Sequence, residues 1–95
     1  MIKIALVGAG GKMGCRLTDN FLNCPQYCLN YLEISEKGMR NLKERNVVPG
    51  DQLEAVSKAD VVILAVPDVA IGTISDELIP LMKSGALVIY KAYPY

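Results

Sequence analysis

Hydrophobic and polar positions along the chain change period several times, and the changes mark out alternating strands and helices. "IKIALVG" (residues 2–8) is a short, nearly continuous apolar run ended by glycine, the pattern of a strand buried on both faces of a parallel sheet. Met13, Leu17 and Phe21 then recur at helical spacing with Leu22 beside them, and Pro25 ends the run. "YCLNYLEI" (27–34) predicts a second strand, and Ser35 is placed to cap a helix through "EKGMRNLKER" (36–45), with Gly38 as its weak point. "NVVP" (46–49) reads as a stub of a third strand. "DQLEAVSKA" (51–59) predicts a short helix with Leu53 and Val56 facing inward, ahead of the most strand-like run, "DVVILAVP" (60–67). In "DVAIGTISDEL" (68–78), Ile71, Ile74 and Leu78 form one helical stripe that Pro80 stops, and "KSGALVIY" (83–90) is a last strand entered through Gly85.

Strands and helices alternating at this length imply right-handed crossovers and an α/β, doubly wound parallel sheet of about five strands in the order 3-2-1-4-5. No repeat, linker or second domain interrupts the pattern. Residues 1–90 read as one domain, with 91–95 as a frayed or truncated tail in which Lys91 is solvated.

Composition narrows the partners. With 95 residues, 52% of them hydrophobic, the chain can bury a core, but it is short for a complete two-domain enzyme. Ten basic residues balance ten acidic ones without runs of either sign, which argues against a nucleic-acid partner. No apolar run approaches the roughly 20 residues of a membrane span. Cys15, Cys24 and Cys28 are odd in number and there is no histidine, so free thiols in a reducing, cytoplasmic setting and no metal site are expected.

The candidate chemistry lies in "GAGGKMG" (8–14), between the first strand and the first helix. In a turn of this kind one glycine makes the bend, one lets backbone approach a diphosphate, and one lets helix and strand pack closely. Reading Gly8-x-Gly10 would put Met13 at the close-packing position. The parsing Gly8, Gly11, Gly14 avoids that clash and leaves Gly10 bare on the ligand side. The amides of Gly10, Gly11, Lys12 and Met13 would then face phosphates at the positive end of the helix dipole. Glycines also mark any tight strand-to-helix turn, so the context counts. Glu33 closes the second strand 25 residues after Gly8, where a carboxylate can accept from both hydroxyls of an adenosine ribose and would repel a 2'-phosphate, favouring NAD over NADP. The same residue reads also as a solvated strand end, and Lys12 suits a pyrophosphate, a 2'-phosphate or plain surface. Ala65, Val66 and Pro67 end the central strand across the topological switch point and would line the nicotinamide side of the crevice. Pro67 also suits the first turn of a helix.

"IALVGAGGKMG", "ADVVILAVPD" and "MKSGALVIY", in this order, resemble the amino-terminal Rossmann domain of the 6-phosphogluconate dehydrogenase-like and β-hydroxyacid dehydrogenase-like NAD(P)-dependent oxidoreductases. The turn is also similar to that of dihydrodipicolinate reductase, and "VVILAVPD" to segments of prephenate dehydrogenase and ketol-acid reductoisomerase. The resemblance spans roughly residues 1–90. It implies that Gly8, Gly10, Gly11, Lys12 and Met13 contact the pyrophosphate, Glu33 the adenosine ribose, and Ala65, Val66 and Pro67 the nicotinamide half. It implies hydride transfer on a small-molecule substrate. In that family the acid/base residue comes largely from a following helical domain, so no catalytic residue is assigned. A non-catalytic nucleotide-binding module, an FAD or S-adenosylmethionine site, and a bare scaffold that self-associates as a homo-oligomer are the other readings of these residues.

Overall fold

The structure is a computed structural model that describes residues 1–90; the expectations for Lys91 and the 91–95 tail lie outside the described residues. Strand β1 (Ile2–Val7) leads through the glycine turn to α1 (Lys12–Phe21), then β2 (Tyr27–Leu32), α2 (Glu36–Glu44) and α3 (Gln52–Lys58). Strand β3 (Val61–Leu64), α4 (Asp68–Leu78), a 3-10 turn (Ile79–Leu81) and β4 (Leu87–Tyr90) complete the described chain. All pairings are parallel, in the order β2-β1-β3-β4. Leu6 at the middle of the sheet lies opposite Tyr31 on one side and Ile63 on the other.

Alternation along each strand divides the core into two layers. Ala5, Val7, Val62 and Leu64 face Val56 of α3 and Leu78 of α4. Ile4, Leu6 and Ile63 face Met13, Leu17 and Phe21 of α1 and Leu42 of α2. Apolar runs on β1 and β3 follow from this: helices cover both faces, so neither can be polar.

The doubly wound parallel sheet is therefore present, with four strands where about five are expected. The order is the expected one with its third strand missing. Residues 47–50 do run beside β2, since Gly50 N–H donates to the Tyr31 carbonyl at 2.9 Å. No ladder develops: Asn46 turns the backbone to φ 58°, Pro49 has no N–H to donate, and Val48 is exposed. A second expectation fails on α3, where Val56 is buried but Leu53 points outward at 59% exposure. The other helices follow their patterns. Ser35 Oγ caps α2 by accepting from Gly38 N–H, and Asp51 caps α3 by accepting from Glu54 N–H.

A surface tie fixes the opposite end of the sheet. Asp60 accepts from Lys3 N–H and from Lys83 Nζ, and these bonds, the backbone one first, hold its carboxyl below the usual carboxylate range. No helix of the described residues is long and apolar enough to cross a membrane. Among the described residues no group of three or more His, Cys, Asp or Glu is placed to hold a metal, and Cys15, Cys24 and Cys28 are free thiols.

Candidate functional site

The carboxyl ends of β1, β2 and β3 meet at the glycine turn. Gly8 has φ +80°, a conformation side chains rarely adopt, and a β-carbon there would overlap the carbonyl of Ala65, the residue after β3. The Gly8 and Ala9 amides both donate to the Leu32 carbonyl, at 2.9 and 3.0 Å, which ties the turn to the end of β2. Gly14 lies against Gly8 so closely that a β-carbon would overlap its carbonyl. The two ends of the turn thus do what the Gly8, Gly11, Gly14 parsing requires: a tight bend, and a helix pressed onto the strand.

The middle of the turn differs from expectation. Gly10 is not a bare position facing outward: it is buried, and a β-carbon would run into the backbone of Gly38 on α2. Its peptide is clamped on both sides, with the N–H donating to Glu33 Oε1 at 2.9 Å and the carbonyl accepting from Asn41 Nδ2 at 2.8 Å and Cys15 Sγ at 3.3 Å. Gly11 N–H closes back onto the Gly8 carbonyl at 3.0 Å. The Gly10 and Gly11 amides are therefore engaged within the turn, because a bend this tight must satisfy its own donors.

Further along, two amides precede the helical hydrogen bonds. Cys15 N–H makes the first intrahelical bond, to Gly11, so the amides of Met13 and Gly14 precede it at the open end of α1. Among the described residues α1 alone of α1–α4 has neither a side-chain cap nor an acidic residue in its first turn. Its positive end is left for an anion from elsewhere. Gly11 has the most open surroundings of the turn glycines, since a β-carbon would meet only the Gly8 carbonyl, at 3.4 Å.

Glu33 lines the smaller of two depressions, and its partners Gly10 and Ser35 line the larger. One, of about 70 Å³, is walled by Gly8, Leu32, Ile34, Val66 and Ile74, with Gln52 and Glu77 at its polar edge. The other, of about 330 Å³, is lined by Gly10, Gly11, Lys12, Ser35, Lys37, Gly38 and Asn41. The Glu33 carboxylate accepts four bonds: Gly10 N–H on Oε1, and Ile34 N–H, Ser35 N–H and Ser35 Oγ–H at 3.1 Å each on Oε2. A carboxylate has about two acceptor positions on each oxygen, so Oε2 is crowded by three donors while Oε1, with one, keeps a position open. Of the three donors on Oε2, only the Ser35 hydroxyl can be exchanged without moving backbone.

Of the remaining expected positions, Ala65 and Val66 are buried beside Gly8, and Pro67 is the exposed N-cap of α4. Lys12 opens α1 on the rim of the larger depression, and Met13 packs partly into the α1 side of the core. Sequence reasoning missed Gly38, Asn41, Lys37 and the Ile34–Ile74 walls. The glycine inside a helical pattern is the signal at Gly38, which marks it as the weak point of α2 and not as part of the site; an asparagine that crosses from α2 to Gly10 leaves none. Two groups brace the region from below. Arg45 holds Asp19 in a two-pronged ion pair, Nε to Oδ1 at 2.6 Å, which joins α2 to α1 and depresses the Asp19 carboxyl. Burial pushes the Cys15 thiol up against a smaller opposing pull from Arg45, in keeping with its role as a donor to Gly10.

Residues 3–91 match the protein family described as NADP oxidoreductase coenzyme F420-dependent. The chain belongs to that family. It is an NAD(P)-binding oxidoreductase domain of Rossmann type. It is 45% identical over 87 residues to the D-apionate oxidoisomerase of Cupriavidus necator, an alignment covering 90% of this chain and 31% of that protein. Among solved structures it is similar to a semialdehyde dehydrogenase NAD-binding protein from Cupriavidus necator, in complex with calcium and NAD. The TM-score is 0.88 at 43% identity, covering 95% of this chain and 33% of that one. The Mycobacterium tuberculosis 3-hydroxyisobutyrate dehydrogenase shares the fold, at TM-score 0.80 and 20% identity over 97% of this chain and 32% of that one. The chain spans about a third of the length of these relatives.

Proposed function

We propose that this domain holds NAD for hydride transfer in a dehydrogenase or oxidoisomerase, with the diphosphate at the amino end of α1. The open end of α1 carries the reading: the Met13 and Gly14 amides precede the first intrahelical bond, no cap or acid occupies the first turn, and Gly11 offers a bare approach. Ile34 and Ile74 form an apolar slot suited to the adenine, and Ala65, Val66 and Pro67, after the end of β3, lead toward the nicotinamide end. The nicotinamide supplies the hydride chemistry when bound, while the protein orients it and presents one face.

The preference for NAD rests on charge at Glu33. Its carboxylate, held by four donors at the wall of the smaller depression, opposes a phosphate on the ribose 2' oxygen. A ribose hydroxyl is accepted at Oε2 in exchange for the Ser35 hydroxyl, a rotor that then turns to the sugar. NAD in the 43% identical neighbour agrees with this choice. Lys12 and Lys37 on the rim of the larger depression serve the diphosphate and the surface field. The substrate acted on by the whole protein is a small polyhydroxy or hydroxy acid, by analogy with the D-apionate oxidoisomerase it resembles.

Calorimetric titration of the purified protein with NADH and NADPH tests the reading. NADH is expected to bind saturably and at least about tenfold more tightly than NADPH, a difference of about 1.4 kcal/mol. Absence of saturable binding by either nucleotide would contradict the proposed function, and equal affinities would contradict the role given to Glu33.

A further inference from the structure

The helix that carries Ser35 begins with an unusual arrangement. In a capping box, the third helical residue is a Glu or Gln whose side chain reaches back to the N–H of the N-cap. Here that third residue is Gly38, and the N-cap amide, Ser35 N–H, is taken instead by Glu33 from outside the helix. The exchange is steric. A β-carbon on Gly38 would overlap three atoms, Cδ, Oε1 and Cγ, all belonging to the Glu33 side chain. Gly38 is thus the floor on which the carboxylate lies while it reaches Gly10. On the other side of the same contact, Gly10 lies against the Gly38 backbone.

We propose that Gly38 is a positioning residue for nucleotide preference: by lacking a side chain it seats the Glu33 carboxylate between Gly10 and Ser35, where it excludes a 2'-phosphate. The inference rests on the NAD reading given above. Helix propensity gives no reason for glycine at this position, since Gly is the poorest ordinary residue inside a helix. The atoms in the way are the far part of a flexible side chain rather than backbone. A methyl at position 38 is therefore accommodated by moving Glu33, with the sheet and helices left in place. Displacing the carboxylate removes the Gly10 bond and shifts negative charge away from the ribose.

The test compares wild type, Gly38→Ala, Glu33→Ala and the double variant by titration with NADH and NADPH, and reads the Gly10 amide by hydrogen exchange in nucleotide-free protein. In Gly38→Ala, NADH affinity is expected to fall about tenfold while NADPH affinity changes little, so that the preference collapses. The Gly10 amide should exchange about tenfold faster, because its acceptor has moved. In the Glu33→Ala background the added methyl should change neither quantity, since the side chain it displaces is gone. If Gly38→Ala does not fold, the double variant, in which the space is vacated, is still expected to fold; its failure would overturn the proposal. So would an unchanged NADH-to-NADPH ratio or unchanged Gly10 exchange in a folded Gly38→Ala. Wild type that binds neither nucleotide defeats the NAD reading itself, whereas the Gly10 exchange result judges the seating of Glu33 independently.

Discussion

Alanine in place of Gly14 is expected to destabilise the domain by about 3 kcal/mol, at the upper end of the range for overpacked positions. The added methyl would overlap the carbonyl oxygen and carbon of Gly8 and the carbonyl carbon of Ala9, all of them backbone. None of these atoms can retreat. Gly8 is locked at φ +80° with its amide on the Leu32 carbonyl, and the Ala9 carbonyl accepts from the buried Thr18 Oγ1 at 3.1 Å. Relief must come from α1 lifting off the sheet, which pulls Met13, Leu17 and Phe21 away from Ile4 and Leu6. For a domain whose total stability lies in the usual range of about 5–15 kcal/mol, that loss is a large fraction. Urea unfolding checks it: the midpoint should fall with the slope unchanged, and a midpoint close to wild type would mean that the packing of α1 on β1 is looser than described.

Alanine at Gly11 is expected to do the opposite, leaving the fold within about 1 kcal/mol of wild type while lowering NADH affinity about a hundredfold. Within the protein the new methyl meets only the Gly8 carbonyl, at 3.4 Å, an ordinary contact. Gly11 is the N-cap of α1 with extended backbone, so no positive φ demands glycine there, and it makes no side-chain cap that could be lost. What the methyl does occupy is the rim of the larger depression at the amino end of α1. Two glycines three residues apart thus separate by assay: one is needed by the fold and the other by the ligand. Isothermal titration together with thermal unfolding reads both. Full NADH affinity in a folded Gly11→Ala would remove this position from the diphosphate site.

That contrast explains how much was legible beforehand. Periodicity reports which face of an element is covered, and it placed β1, α1, β2, α2, β3, α4 and β4 close to where they lie. Capping chemistry is local, so Ser35 was legible as the start of α2. The third strand was not excluded by its apolar Val47 and Val48, because pattern alone does not register the missing donor of Pro49 or the reversed backbone at Asn46. Leu53 looked inward for the same reason: a seven-residue helix has too few turns for its stripe to be unambiguous. In the site, the bend at Gly8 and the close approach at Gly14 follow from chain geometry and could be read directly. The bonds of Gly10 to Glu33 and Asn41 cross 23 and 31 residues, and nothing in the spacing distinguishes a carboxylate that receives a sugar from one that first secures the turn.

The central claim is that the open end of α1 receives the diphosphate. Two-dimensional amide NMR during titration with NADH tests it most directly. The Met13 and Gly14 amide resonances are expected to move the most and to saturate, while those of Ala86 to Ile89, at the sheet edge, stay in place. Saturable NADH binding with the Met13 and Gly14 resonances unmoved would contradict it.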